Sequence, residues 1–349
     1  MEEKVSAERI LPQEMKFLHY LRDIALILIL YDHLLPGAYY AVGTQPPIGV
    51  IEEYILWPLA IINHFGAFGV DIFFLISGFV ICHSAKNAPK VTTFLLKRFF
   101  RIIPPILFGW LVYTVFSAIC GFAALRIGVQ YPSASYFSAN GALWTMKVEI
   151  LFYVLFAVCL PLYKRRPLAG TLLLLMLNIG ICQFGTANQN LFTLAQTCSY
   201  IFYAIAGMVI YLAWSGRAGK LQTVLFAAAV WYCIVRYNIQ VFNPERYATD
   251  NSFGVSAIYA VLFFLVFLLA EEHLAERPWV KTISRYSYGL YLHHMPFLAL
   301  LIPLLGTQIP ILAVVAGVLS WAATYLQLRF VEQPCAKLLK KCMTWRIKI

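Results

Sequence analysis

Residues 17–36 read FLHYLRDIALILILYDHLLP, a run apolar enough to cross a bilayer that nevertheless carries Arg22, Asp23, Asp32 and His33. About 20 residues of helix span hydrocarbon about 30 Å thick. Arg22 and His33 are eleven positions apart, so a helix separates them by about 16 Å along its axis and about 20° around it. They share one face at two depths. Ionisable groups inside a span are costly and mark a reaction or transport path, so this stretch predicts both a membrane fold and a functional face within it.

The rest of the chain fits that reading. Of 349 residues 61% are hydrophobic and 12% charged, and the mean hydropathy is +0.73; a soluble globule is excluded. Ten apolar stretches are long enough to span, at 17–36, 65–85, 102–124, 142–163, 168–186, 194–214, 221–237, 254–270, 285–304 and 308–328. The expected fold is an all-α polytopic bundle of about ten transmembrane helices in one domain, 1–349. The polar N-terminus does not read as a cleaved signal peptide. If both termini are cytoplasmic, 22 of the 27 Lys and Arg fall in inner segments and 3 in outer loops, as the positive-inside rule requires. The net charge of +11 is thus a topology signal, and nucleic-acid binding is a poor reading of it. The eight cysteines have no CxxC spacing, so neither a metal site nor disulfides are indicated.

Polar residues inside the other spans supply the chemistry. The outer loop at 37–64 is rich in aromatics and holds Glu52, Glu53 and His64; it reads as an interfacial belt or as a stacking platform for a sugar. The second span, GVDIFFLISGFVICHSA, brings Asp71 and Ser77, with Gly69 and Gly78 permitting close helix approach. Asp71 reads as a helix-pairing carboxylate or as a group that orients His33. In TTFLLKRFFRIIPP, Lys97, Arg98 and Arg101 recur at helical spacing, as an amphipathic helix on the inner surface would show, with Pro104 and Pro105 starting the next span. Such a cluster anchors topology or cradles phosphates. The fourth span, GALWTMKVEILFYVLF, holds Trp144, Glu149 and Tyr153, and the ninth, SRYSYGLYLHHMPF, holds Tyr288, Tyr291 and His294. Glu332 lies at the inner end of the last span, where Pro334 is expected to stop the helix.

Depth sorts these groups into two layers. His33, Asp71 and Glu149 fall in the outer half, and Arg22, Lys97, Arg98, Arg101 and Glu332 in the inner half. A phosphate-binding inner mouth below a His–carboxylate centre suits general-base activation of a hydroxyl, since a carboxylate fixes the imidazole tautomer and raises its basicity.

Several blocks in order resemble the acyltransferase family 3 membrane proteins. They are Arg22, Ala25 and His33; Gly69-Val70-Asp71-Ile72-Phe73-Phe74 with Ser77-Gly78-Phe79; and Phe94, Lys97, Arg98, Arg101, Ile102 and Pro104. Leu143-Trp144-Thr145, Val148-Glu149 and Phe152-Tyr153 follow, then Ser287-Tyr288, Leu290-Tyr291-Leu292, His294 and Pro296, and last Glu332 and Pro334. The resemblance implies an O-acyltransferase that takes acetyl, or another acyl group, from cytoplasmic acetyl-CoA or a related acyl-CoA. The acceptor implied is a hydroxyl of a surface polysaccharide or lipid-linked glycan, in a bacterial cytoplasmic (inner) membrane. Arg22 would help hold coenzyme A, and His33 would be the catalytic centre, acting as a base or carrying the acyl group. No resident cofactor is implied. Lys147 departs from the family's small or polar residue and places a cation two positions from Glu149. No fused hydrolase-like domain is expected. A glycan transporter is the rival reading; it is disfavoured by the lack of a repeat between halves.

Overall fold

The computed structural model describes residues 15–44, 65–86, 90–131, 134–242, 252–306 and 308–345. Glu52, Glu53 and His64 of the expected aromatic platform lie outside the described residues. Among those described, every regular element is helical.

The first expected span forms α1 (Lys16–Leu34), and Pro36 opens a one-turn continuation, α2 (Pro36–Ala41). Phe17, Leu21, Ala25 and Ile29 repeat every four residues and are fully buried, which gives α1 the apolar stripe that a core-facing helix needs. The start of α1 is capped from far along the chain. Glu271 accepts from the backbone N–H of Lys16 through Oε1 (3.0 Å) and from that of Phe17 through Oε2 (2.7 Å). Lys16 Nζ and Tyr20 donate to the carbonyls of Leu274 and Ala275 in the same loop.

The next helices are α3 (Phe65–Lys86), α4 (Val91–Arg126), α5 (Tyr136–Ala139), α6 (Leu143–Arg165) and α7 (Pro167–Ala187). The sequence led us to expect a surface helix ending where Pro104 and Pro105 begin the third span. The structure instead runs one 36-residue helix through both prolines. Only two backbone donors are lost within a long hydrogen-bonded ladder, and neighbouring helices in a bundle tolerate that loss.

Beyond a break at Tyr200 between α8 (Phe192–Ser199) and α9 (Ile201–Trp214) come α10 (Lys220–Phe242), α11 (Ser252–Leu269), α12 (Pro278–Leu305) and α13 (Ile309–Gln327). A π-helical turn, Leu328–Glu332, then joins α13 to α14 (Gln333–Trp345). Pro334 therefore does not stop the helix as expected. It falls in the first turn of α14, directly after the π-helical turn, where the hydrogen-bond ladder has already changed register.

Glycines set the closest contacts. A Cβ on Gly78 would lie 1.7 Å from the carbonyl oxygen of Ala204, and one on Gly207 would lie 2.0 Å from that of Leu75. α3 and α9 therefore touch backbone to backbone, as small-residue pairs permit in membranes. Phe17 meets Phe79 of α3 and Phe264 of α11 edge-on at 5.6 and 5.5 Å, fixing α1 beside both.

Among the described residues, eight helical segments are long and apolar enough to cross a membrane: Lys16–Ala41, Phe65–Ala85, Val91–Arg126, Leu143–Arg165, Pro167–Ala187, Gln189–Trp214, Pro278–Leu305 and Ile309–Lys341. Helices also occupy the other two expected stretches. α10 carries Arg236 and Gln240, and the apolar part of α11, Gly254–Leu269, is shorter. The architecture is that of an all-α, polytopic integral membrane protein.

Candidate active site

α1, α3, α4, α6 and α12 enclose a cavity with about 730 Å³ of empty space, counting its open mouth. Eight of the residues singled out from sequence line it: Arg22, Ser77, Arg98, Arg101, Glu149, Tyr153, Tyr288 and Tyr291. Arg98 is held in place. Its Nη2 donates to Ser84, and its guanidinium lies over the rings of Phe94 and Tyr153 at 5.3 and 4.9 Å, a cation–π arrangement. Arg22 and Arg101 have no hydrogen-bond or ion-pair partner among the described residues, so their donors remain available to a ligand. Glu149 accepts from Tyr153 one turn away on α6. With three guanidinium groups against one carboxylate, the cavity favours an anion.

One turn along α12 from Tyr291, whose ring centroid lies 5.7 Å from that of His294, His33 and His294 form a hydrogen-bonded pair. His33 Nδ1 lies 2.8 Å from His294 Nε2. The ring planes are within 5° and the centroids 5.1 Å apart. That separation is as long as the nitrogen contact allows, so the rings lie edge to edge in one plane. His294 Nδ1 faces two carbonyls, Tyr291 at 2.7 Å and Leu290 at 3.2 Å, and must donate to them. In a neutral His294, Nε2 is then an acceptor, so His33 Nδ1 donates and His33 Nε2 keeps its lone pair. Two backbone carbonyls thus fix the tautomer of both rings.

α12 is shaped to hold this pair. Pro296 removes the donor that would have met the Leu292 carbonyl, and Asn140 Nδ2 supplies one at 3.0 Å. The other end of the Asn140 amide accepts from Ala142 N–H at 3.2 Å at the start of α6. Thr145 and Tyr291 join their hydroxyls at 2.8 Å, tying α6 to α12 beside the cavity.

The remaining expected residues sit elsewhere. Asp71 was a candidate to orient His33, but it accepts from Ser256 of α11 at 3.2 Å and interacts with Tyr203 of α9. It ties three helices together. Lys97 is half-buried outside the cavity lining. Trp144 packs on Tyr200 at 4.5 Å and on Phe74, which lines the cavity. Glu332 accepts from Gln327 Nε2 at 2.7 Å, and Gln327 Oε1 lies 2.8 Å from His293 Nε2. This buried chain was not foreseen, although Gln327 is a polar residue inside an apolar span. Lys147 is exposed on the stripe of α6 that includes Trp144, Ile150, Val154 and Val158. Two helical residues are about 200° apart, so Lys147 faces outward and Glu149 inward.

An arginine-lined cavity can take an anion, and a tautomer-fixed imidazole beside it on the same helix can take a proton; such an arrangement suits group transfer within the membrane. Sequence comparison makes the class specific. The model of the acyltransferase domain matches residues 15–326, and the chain belongs to acyltransferase family 3. It is 26% identical over 326 residues to nodulation protein 10 of Rhizobium leguminosarum bv. viciae, covering 82% of this chain and 86% of that protein. It is 23% identical to an O-acetyl transferase of Shigella phage Sf6, over 79% of this chain and 82% of that one. Against the peptidoglycan O-acetyltransferase OatA of Listeria monocytogenes identity is 22%, over 78% of this chain and 51% of the relative. No solved structure matches the chain. The protein is an integral-membrane O-acyltransferase.

Proposed function

We propose that this acyltransferase moves an acetyl group from cytoplasmic acetyl-CoA to a hydroxyl of a surface polysaccharide or lipid-linked glycan, in a bacterial inner membrane with both termini cytoplasmic. The observation that carries the reading is the His33–His294 pair set beside Tyr291 of the arginine cavity. Relatives named O-acetyl transferase and peptidoglycan O-acetyltransferase support the acyl group and acceptor class.

In this reading Arg22 and Arg101 bind the donor's phosphates, with Arg98 beside them. His33 Nε2 removes the proton of the acceptor hydroxyl as its oxygen attacks the thioester carbonyl. The C–S bond breaks, a C–O ester bond forms, and the proton passes from His33 to the departing thiolate. General-base assistance of this kind is worth about 10²–10⁴ in rate. His294 keeps Nε2 of His33 unprotonated by occupying Nδ1.

The test uses purified protein in lipid nanodiscs with acetyl-labelled coenzyme A thioester and a lipid-linked glycan extract. Label should reach the glycan with the wild type, fail to with His33→Ala, and with Arg22→Ala need about tenfold more thioester. Transfer by His33→Ala at the wild-type rate would remove His33 from the chemistry. A wild type that neither binds nor consumes the thioester would remove the donor.

A further inference from the structure

His293, Gln327 and Glu332 form a polar chain that the acyl-transfer steps do not use. His293 Nε2 lies 2.8 Å from Gln327 Oε1, and Gln327 Nε2 donates to Glu332 Oε1 at 2.7 Å. An amide nitrogen only donates and an amide oxygen only accepts, so His293 Nε2 carries a proton and both hydrogen bonds point from the imidazole toward the carboxylate. His293 and Gln327 are 1% and 0% exposed, a costly placement for polar groups inside a membrane span. The backbone is adapted to the chain. Gln327 and Glu332 are five positions apart, which on an α-helix would turn their side chains about 140° from one another. Five residues close one hydrogen-bonded turn of a π-helix, and such a turn spans Leu328–Glu332, so the two side chains meet on one side.

The chain runs along α4. At one end Phe108 meets His293 edge-on at 6.1 Å, and a Cβ on Gly109 would lie 3.4 Å from His293 Cε1. At the other end the π-helical turn packs on α4, and Glu332 interacts with Arg101, which lies about 12 Å before Gly109 along the helix. Arg285 of α12 interacts with Glu332 as well. Glu332 and Arg101 form no ion pair, so the guanidinium keeps its donors for a ligand. Arg101 and Arg22 also repel each other across the cavity, and a fixed anion behind Arg101 offsets that repulsion. We infer that His293, Gln327 and Glu332 are positioning residues for the donor: the chain fixes the Glu332 carboxylate behind Arg101, and that charge directs the guanidinium toward the donor's phosphates without occupying its N–H groups. The inference rests on the donor reading above. A long side chain that is already directed loses less freedom when its ligand arrives.

The experiment measures kcat and the KM of acetyl-CoA in nanodiscs for Glu332→Gln, Gln327→Leu and His293→Leu, each alone and each combined with Arg101→Ala. Alone, each should raise donor KM by about threefold to tenfold with kcat within about twofold of wild type, and on Arg101→Ala none should raise it further, because residues that act through one group lose their effect with it. A KM that does not move, or that rises as much when the Arg101 side chain is already gone, overturns the inference and leaves the transferase standing. If Glu332→Gln is not recovered folded, Gln327→Leu and His293→Leu are judged by the same criterion. Failure of all three to fold makes the chain a structural tie and overturns the inference as well. A wild type that neither binds nor consumes acetyl-CoA takes down the donor reading and this inference together.

Discussion

His33 and His294 are 261 positions apart in the chain and share one hydrogen bond of 2.8 Å, with the far nitrogen of His294 fixed by two backbone carbonyls. Removing either ring has a different consequence. His33→Ala should lower kcat by about 10²–10⁴ with donor KM unchanged. His294→Ala should lower kcat less, because the base survives but its tautomer is free. Steady-state kinetics on both variants check this; equal losses would make the pair a single functional unit.

The cavity arginines predict a split in the opposite sense. Arg22→Ala and Arg101→Lys should raise donor KM by about tenfold, equivalent to about 1.4 kcal/mol, with kcat nearly intact. Lysine keeps the charge of Arg101 but not its bidentate fork. Titration of the wild type and both variants with acetyl-CoA, followed by calorimetry, tests the prediction. A full-affinity Arg101→Lys would show that charge alone suffices.

Glu271 accepts from two otherwise unmet donors at the start of α1. Glu271→Ala should destabilise the bundle by about 1–2 kcal/mol, read as a lower unfolding midpoint in detergent. Activity at low temperature should persist, since the residue is remote from the cavity. An unchanged midpoint would mean that lipid headgroups or water replace the carboxylate.

Gly78 has no room for a methyl group against the Ala204 carbonyl. Gly78→Ala should force α3 and α9 apart and cost at least about 3 kcal/mol, so that little folded protein is recovered. Gly180, whose Cβ would meet nothing within 4 Å, is the control. Gly180→Ala should be recovered at the wild-type level.

Much of this architecture is legible from apolar length alone, because hydrocarbon leaves the chain few options besides helix. Helices occupy all ten apolar stretches, and eight of the residues picked out for their polarity inside those stretches line one cavity. Prolines misled. Pro104, Pro105 and Pro334 read as boundaries, yet two lie inside α4 and the third in the first turn of α14, which continues from α13. Partner choice was also hidden. A carboxylate is the commoner companion of an imidazole, and Asp71 has a suitable depth, but which way each side chain turns is set by the packing of α3 against α9 and α11. The direction of Lys147 was recoverable from helical geometry, whereas the cap provided by Glu271 and the chain from His293 to Glu332 depend on contacts that no sequence period reports.

The tie between the loop after α11 and the start of α1 bears on how the protein is made. During synthesis α1 emerges first, carrying Arg22, Asp23 and His33, while Glu271, Leu274, Ala275 and His294 are still more than 200 residues from being translated. A nascent first helix therefore has to wait in the membrane or its insertion machinery without its cap and without its histidine partner. The histidine pair comes into existence only when the last third of the chain arrives, so in no ribosome-bound intermediate that ends before α12 can His294 set the tautomer of His33.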